Sequence, residues 1–181
     1  MSMRPSAAEL AAAHGRTIAD VLTPDLRVLF CGINPGLWSA ATGLHFARPG
    51  NRFWPALHRG GFTPRLLRPQ EQADLLRYGL GITNLAARAT ARADELTAAE
   101  LVEGGVILRR KLAQCRPGYL AVLGIGAYRT AFQDRTARIG AQDHSIEGVP
   151  VWVLPNPSGL NAHFNLDELA AQFAALREAA R

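Results

Sequence analysis

Four short, continuous apolar runs punctuate the chain, and stretches with helical spacing lie between them. Residues 27–33 (RVLFCGI), 81–85 (GITNL), 119–124 (YLAVLG) and 151–154 (VWVL) lack the alternation of a half-exposed strand, which predicts strands buried on both faces. Helices are predicted over 51–59, 70–78 and 126–134. A longer one opens on the capping box Thr97-x-x-Glu100 and runs to about Cys115, and the last runs from Asn165 to the terminus. Strand and helix in this order predict a three-layer α/β/α fold with a mostly parallel central sheet. Residues 37–47 (LWSAATGLHFA) are too rich in glycine and alanine for a strand, have no capping residue for a helix, and read as a functional loop. The alanine-rich segment 1–23 reads as a helical extension packed on the outside of a single domain spanning 1–181.

Composition narrows the class. With 181 residues, 48% of them apolar, the chain can bury one sizeable core, which excludes a disordered tail or a fibre. Cys31 and Cys115 are too few for a disulfide framework, a four-cysteine zinc site or a four-cysteine iron–sulfur cluster, so neither cofactor nor metal is expected. No stretch approaches the roughly 20 apolar residues of a membrane span, and the first residues carry charges where a signal core would be apolar. The chain reads as a cytoplasmic monomer.

The net charge of +5 is concentrated. Between Arg48 and Arg92 there are eight arginines (48, 52, 59, 65, 68, 77, 88 and 92) against Glu71 and Asp74, a balance of +6, while the rest of the chain sums to −1. Such a stretch is the footprint of a surface that meets phosphates. Because 19 of the 20 basic residues are arginine, a compositional bias explains it equally well.

Two buried strands end in the same chemistry. VLFCGI runs into Asn34-Pro35-Gly36, and VWVLP runs into Asn156-Pro157-Ser158-Gly159. Proline keeps the residue before it extended and the following glycine permits a tight turn. In a parallel sheet both turns emerge at the carboxyl edge, where open α/β folds bind ligands, so two amides would converge on one crevice. Phe46, downstream of the first turn, is either a ring on which a planar heterocycle stacks or a core residue under the loop. On the second turn, Ser158, Gly159, Leu160 and Asn161 present one apolar side chain on a polar loop: Leu160 either packs inward or enters a base stack as a wedge.

Phe30 to Gly36 (FCGINPG), Phe46, Asn51 to Trp54 (NRFW), Gly81 to Leu85 (GITNL) and Leu154 to Leu160 (LPNPSGL) together resemble the mismatch-specific uracil/thymine DNA glycosylase family, within the uracil-DNA glycosylase superfamily. The resemblance spans Val28 to the terminal helix. Relatives that process uracil place an aspartate in the first motif and a histidine in the second, whereas Asn34 and Asn156 stand there here, as in the mismatch-specific branch. It implies the uracil-DNA glycosylase-like fold and a monofunctional glycosylase of base excision repair. The enzyme would flip uracil, or thymine or another damaged pyrimidine, out of double-stranded DNA opposite guanine and bring water to the sugar C1′. By the same resemblance Asn34 positions the water and Phe46 stacks on the pyrimidine. Main-chain groups around Ile33 and Gly36 meet the edge of the base, Asn84 lies near the base pocket, and Asn156 supports the base or its departing charge. The segment Ser158, Gly159, Leu160 and Asn161 fills the gap and meets the opposite guanine. Some relatives carry a wedge arginine where Ala162 stands, which leaves more of that work to Leu160 or to His163.

An amide has no lone pair basic enough to deprotonate water, so a nearby carboxylate would have to assist; Asp94, following the arginine-studded stretch after Asn84, is the candidate assistant, and a helix-flanking acid before the Thr97 cap is its other reading. Two other functions fit less of the sequence. A nucleotide hydrolase would need a Gly-Lys-Ser/Thr motif or a carboxylate cluster for Mg²⁺, and neither occurs. A non-catalytic DNA-binding module would use the arginines alone and leave the paired Asn-Pro turns unexplained.

Overall fold

Each apolar run becomes a strand. The computed structural model describes residues 4–181, where β1 (Val28–Gly32), β2 (Leu80–Asn84), β3 (Tyr119–Leu123), β4 (Gly140–Ile146) and β5 (Val149–Leu154) form one sheet in the order β2-β1-β3-β5-β4. The pairs β1/β2, β1/β3 and β3/β5 are parallel; β4 alone is antiparallel, to β5. The helices are α1 (Ala7–Ala12), α2 (Leu37–Thr42), α3 (Phe53–Arg59), α4 (Ala98–Cys115), α5 (Ile125–Ala131) and α6 (Leu166–Ala179), and the helix expected near 70–78 is the 3-10 helix Pro69–Tyr78.

Strand residues alternate between two apolar layers. On one face Phe30, Ile82, Ala121 and Leu154 meet α3 and α6; on the other Leu29, Cys31, Leu120, Val122 and Val153 meet α4 and α5. Phe30 anchors the first layer, edge-on to Phe53 at 5.5 Å and stacked on Phe173 at 5.8 Å between centroids. Burying each such ring is worth about 1.5–3 kcal/mol. In the second layer Cys31 is fully buried, and burial pushes its thiol well above the usual range, so it acts as a small hydrophobe. There α4 closes tightly on the end of β2 because position 104 is glycine: a Cβ would lie 2.2 Å from the Leu85 carbonyl.

Two expectations are corrected, and one strand is added to those expected. Residues 37–42 form α2, although its N-cap Gly36 supplies no side-chain cap. Packing carries this helix: Ala40 joins Ala13 and Ala89 in a small apolar cluster, and Gly43 ends it at φ 73°. The strand β4 was unforeseen because it is a polar edge strand, with only Ile146 buried. It turns into β5 through Glu147 and Gly148, both at positive φ, a two-residue hairpin loop. Of the helical extension expected over 1–23, residues 1–3 lie outside the described ones, and only Ala7–Ala12 is helical, capped reciprocally by Ser6 and Glu9. Val21 instead pairs antiparallel with Ile82 on the sheet edge.

Candidate active site

Because β1, β2, β3 and β5 run parallel, their carboxyl ends share one edge, and there a cavity of about 370 Å³ opens. Ile33, Asn34, Gly36, Phe46, Asn84 and Asn156 all line it. The carbonyls of Ile33 and Gly36 accept from the N–H groups of Ala86 and Ala40, which ties the first Asn-Pro turn to the segment after β2 and to α2.

Asn34 is held at both amide hydrogens. Its Nδ2 donates to the Arg88 carbonyl at 3.0 Å and to Thr90 Oγ1 at 2.8 Å, while the Thr90 hydroxyl donates to the Arg92 carbonyl at 2.7 Å. Both partners therefore act as acceptors toward Asn34, so the nitrogen must face them and Oδ1 is left as the acceptor on the cavity side. Sequence reasoning missed Thr90, whose only signal was its place in the stretch following β2. The Arg88 that presents this carbonyl is fixed by Glu100, with Nε to Oε1 at 2.5 Å.

Two residues before Asn34, Gly32 makes room for two side chains. A Cβ there would lie 2.6 Å from Asn84 Oδ1 and 3.3 Å from the Phe46 ring. Asn84 is the register partner of Gly32 and has no side-chain hydrogen bond among the described residues, so its amide is free to meet a ligand. Phe46 packs on the core, its ring stacked on Phe53 at 4.2 Å, and it also lines the cavity. It sits at φ 52°, a strained conformation for an aromatic residue. The preceding residue, His45, is almost fully buried, which pulls its ring below the usual histidine range.

The second Asn-Pro turn is self-braced. Asn156 Oδ1 accepts from the Ser158 N–H at 2.9 Å, leaving its Nδ2 to donate outward, and Asn161 Nδ2 returns to the Asn156 carbonyl at 3.0 Å. Ser158 and Leu160 also line the cavity; Gly159 lies against the Gly50 carbonyl, and Leu160 is 76% exposed at the tip. That exposure excludes the inward-packed reading of Leu160. The loop is clamped by Arg52, which donates to the carbonyls of Ser158 (2.7 Å), Asn161 (3.1 Å) and Phe164. Ala162 and His163 beyond it are exposed.

Arg52 is therefore turned inward onto the loop, while most of the other arginines of the stretch form ion pairs at the surface. Arg59 pairs with Asp167, Arg65 and Arg68 with Glu71, and Arg88 with Glu100. The arginines of the stretch that line the cavity are Arg48 and Arg92. Asp94 also lines the wall, but its carboxylate is 71% exposed and lies 3.2 Å from Arg92 Nε, at the rim. Among the described residues no group of three or more His, Cys, Asp or Glu side chains is placed to hold a metal ion, and no helix is long and apolar enough to cross a membrane.

A family model described as the uracil DNA glycosylase superfamily matches residues 19–180, nearly the whole chain and all five strands. The mixed sheet with helices on both faces is the fold expected of that superfamily, whose members are DNA-binding glycosylases of base excision repair. The chain belongs to the uracil DNA glycosylase superfamily.

Proposed function

We propose that the chain is a monofunctional, mismatch-specific DNA glycosylase that removes uracil, and related damaged pyrimidines, opposite guanine in double-stranded DNA. The observation that carries this reading is the two-point lock on Asn34, which leaves one amide oxygen as an oriented acceptor in a cavity with an aromatic wall, the Asn84 amide and the outward Nδ2 of Asn156.

The base, once flipped, lies on the Phe46 ring, with Asn84 beside its hydrogen-bonding edge. The C1′–N1 bond breaks with its electron pair going to the base, whose anion is met by the outward Nδ2 of Asn156. Water accepted by Asn34 Oδ1 adds to C1′ and its proton passes to solvent or to the departed base. Asn34 orients that water and does not take its proton, since an amide is not a base at neutral pH. Leu160, at the tip of the loop clamped by Arg52, fills the place the base has left. Single-function chemistry is supported by the one lysine in the sequence, Lys111, which donates to Asp20 and Thr83 and so offers no amine for a covalent intermediate.

The test is a labelled duplex with one U·G pair, incubated with the protein and then treated with alkali. Abasic sites at the uracil position support the reading. An intact strand rejects it, and strand scission without alkali rejects the single-function part.

A further inference from the structure

The segment before β1 is sewn to the cavity from three sides. Gly15 N–H donates to the Ala89 carbonyl and Ala89 N–H to the Arg16 carbonyl, both at 2.8 Å, next to the Thr90 that holds Asn34. The Ala19 carbonyl lies 2.8 Å from Nε2 of His45, the residue before Phe46. Asp20 accepts from the Thr83 hydroxyl at 2.9 Å and from Lys111 at 2.7 Å, next to Asn84. Val21 and Ile82 exchange two 2.9 Å backbone hydrogen bonds. One strap, residues 15–21, thus touches the residues next to Phe46 and Asn84 and the residue next to Thr90, the partner of Asn34.

Ile18 sits in the middle of this strap. It packs against the cluster of Ala13, Ala40 and Ala89, and it lines the cavity. It stands one residue before the span matched to the superfamily, so membership assigns it no role. Much of the wall around Asn34 is small, with Gly32, Pro35, Gly36 and Ser39, and a branched side chain held on a strap tied at both ends cannot give way easily.

We propose that the strap 15–21 is a wall of the base cavity and that Ile18 is a specificity-determining residue which limits the size of the pyrimidine admitted. The inference rests on the glycosylase reading above. Asp20, through Thr83 and Lys111, is the positioning residue that keeps the strap taut.

The test uses the full chain and two duplexes, one with uracil and one with 5-bromouracil opposite guanine, under single-turnover conditions. The readout is the rate on 5-bromouracil divided by the rate on uracil, normalised to the same ratio for the unsubstituted protein. Ile18→Ala should raise it about tenfold, the scale of a lost methyl-sized contact in a substrate pocket, and Ile18→Trp should lower it. Asp20→Asn should shift it in the same direction as Ile18→Ala while leaving duplex affinity unchanged. A merely structural role would depress both rates together, so normalised ratios of one for Ile18→Ala and Asp20→Asn overturn the inference. If Ile18→Ala does not fold, Ile18→Val carries the same test with a smaller rise. An unsubstituted protein inactive on both duplexes overturns the glycosylase reading and this inference with it, whereas activity with unmoved ratios overturns this inference alone.

Discussion

Gly32 and Asn84 are register partners on neighbouring parallel strands, and a single carbon added to Gly32 would come within 2.6 Å of Asn84 Oδ1. The same carbon would press on the Phe46 ring at 3.3 Å. Gly32→Ala should therefore fold, since strand backbone tolerates alanine, yet displace two walls of the cavity at once. A displacement of about 1 Å at such a site costs about 10²-fold in rate. Single-turnover excision with a matched thermal melt checks this: a large loss of rate at nearly unchanged melting temperature is expected.

Thr90→Val removes one of the two acceptors of Asn34 and leaves an N–H without its partner. The rate should fall about tenfold, the kinetic equivalent of about 1.4 kcal/mol. Asp94→Asn should leave the rate near that of the unsubstituted protein, because this carboxylate is exposed and already paired with Arg92. A carboxylate-like acid limb that Asp94→Asn abolishes would instead make Asp94 the working base.

Leu160→Ala should lower excision from duplex more than from single-stranded DNA, since only the duplex needs its gap filled. Arg52→Met should show the same asymmetry without touching Leu160, because it frees the carbonyls of Ser158, Asn161 and Phe164 from their clamp. Equal losses on both substrates would assign the loop a purely structural part.

Binding should weaken as salt rises, and the slope should depend on Arg48, which lines the cavity mouth, more than on the glutamate-paired Arg65 and Arg68. Arg48→Glu should flatten the dependence of affinity on salt, while Arg65→Glu with Arg68→Glu leaves it nearly unchanged. The reverse order would place the DNA backbone along the 65–68 segment.

What the sequence made legible is the part governed by local rules. Continuous apolar runs marked β1, β2, β3 and β5, and proline after Asn34 and Asn156 marked where two of them end, so the crevice could be located before its walls were known. The helix α2 was hidden because packing of Ala40 rather than a cap holds it, and β4 because a polar edge strand resembles a loop. In the sequence Arg52 is one of eight clustered positive charges, and nothing local reveals that a guanidinium will turn inward onto a loop more than 100 residues away. The strap 15–21 was unreadable for the same reason: the hydrogen bonds that tie it to the site run to Ala89, His45, Ile82, Thr83 and Lys111, all distant in sequence.

The pH dependence of stability should carry the signature of the Arg88–Glu100 pair. The hydrogen bond from Arg88, and then that from Thr97 N–H, hold the Glu100 carboxyl down at about 2, against 4.5 ordinarily. A carboxyl lowered by folding stabilises above its unfolded value, and that contribution is lost as pH falls from about 4.5 toward 2. The pair is partly exposed, so the effect is modest and weakens in salt. Glu100→Gln should make the fall in melting temperature across this window shallower and leave the profile above it unchanged in shape.

Excision of uracil from a U·G duplex by Asn34→Ala, compared with the unsubstituted protein in a single turnover and in the presence of EDTA, tests the central claim most directly. The unsubstituted protein should act undiminished by the chelator, and Asn34→Ala should be about 10²–10³ slower at unchanged duplex affinity, the loss typical of one preorganised polar group. A folded Asn34→Ala that excises uracil at the unsubstituted rate would contradict the account.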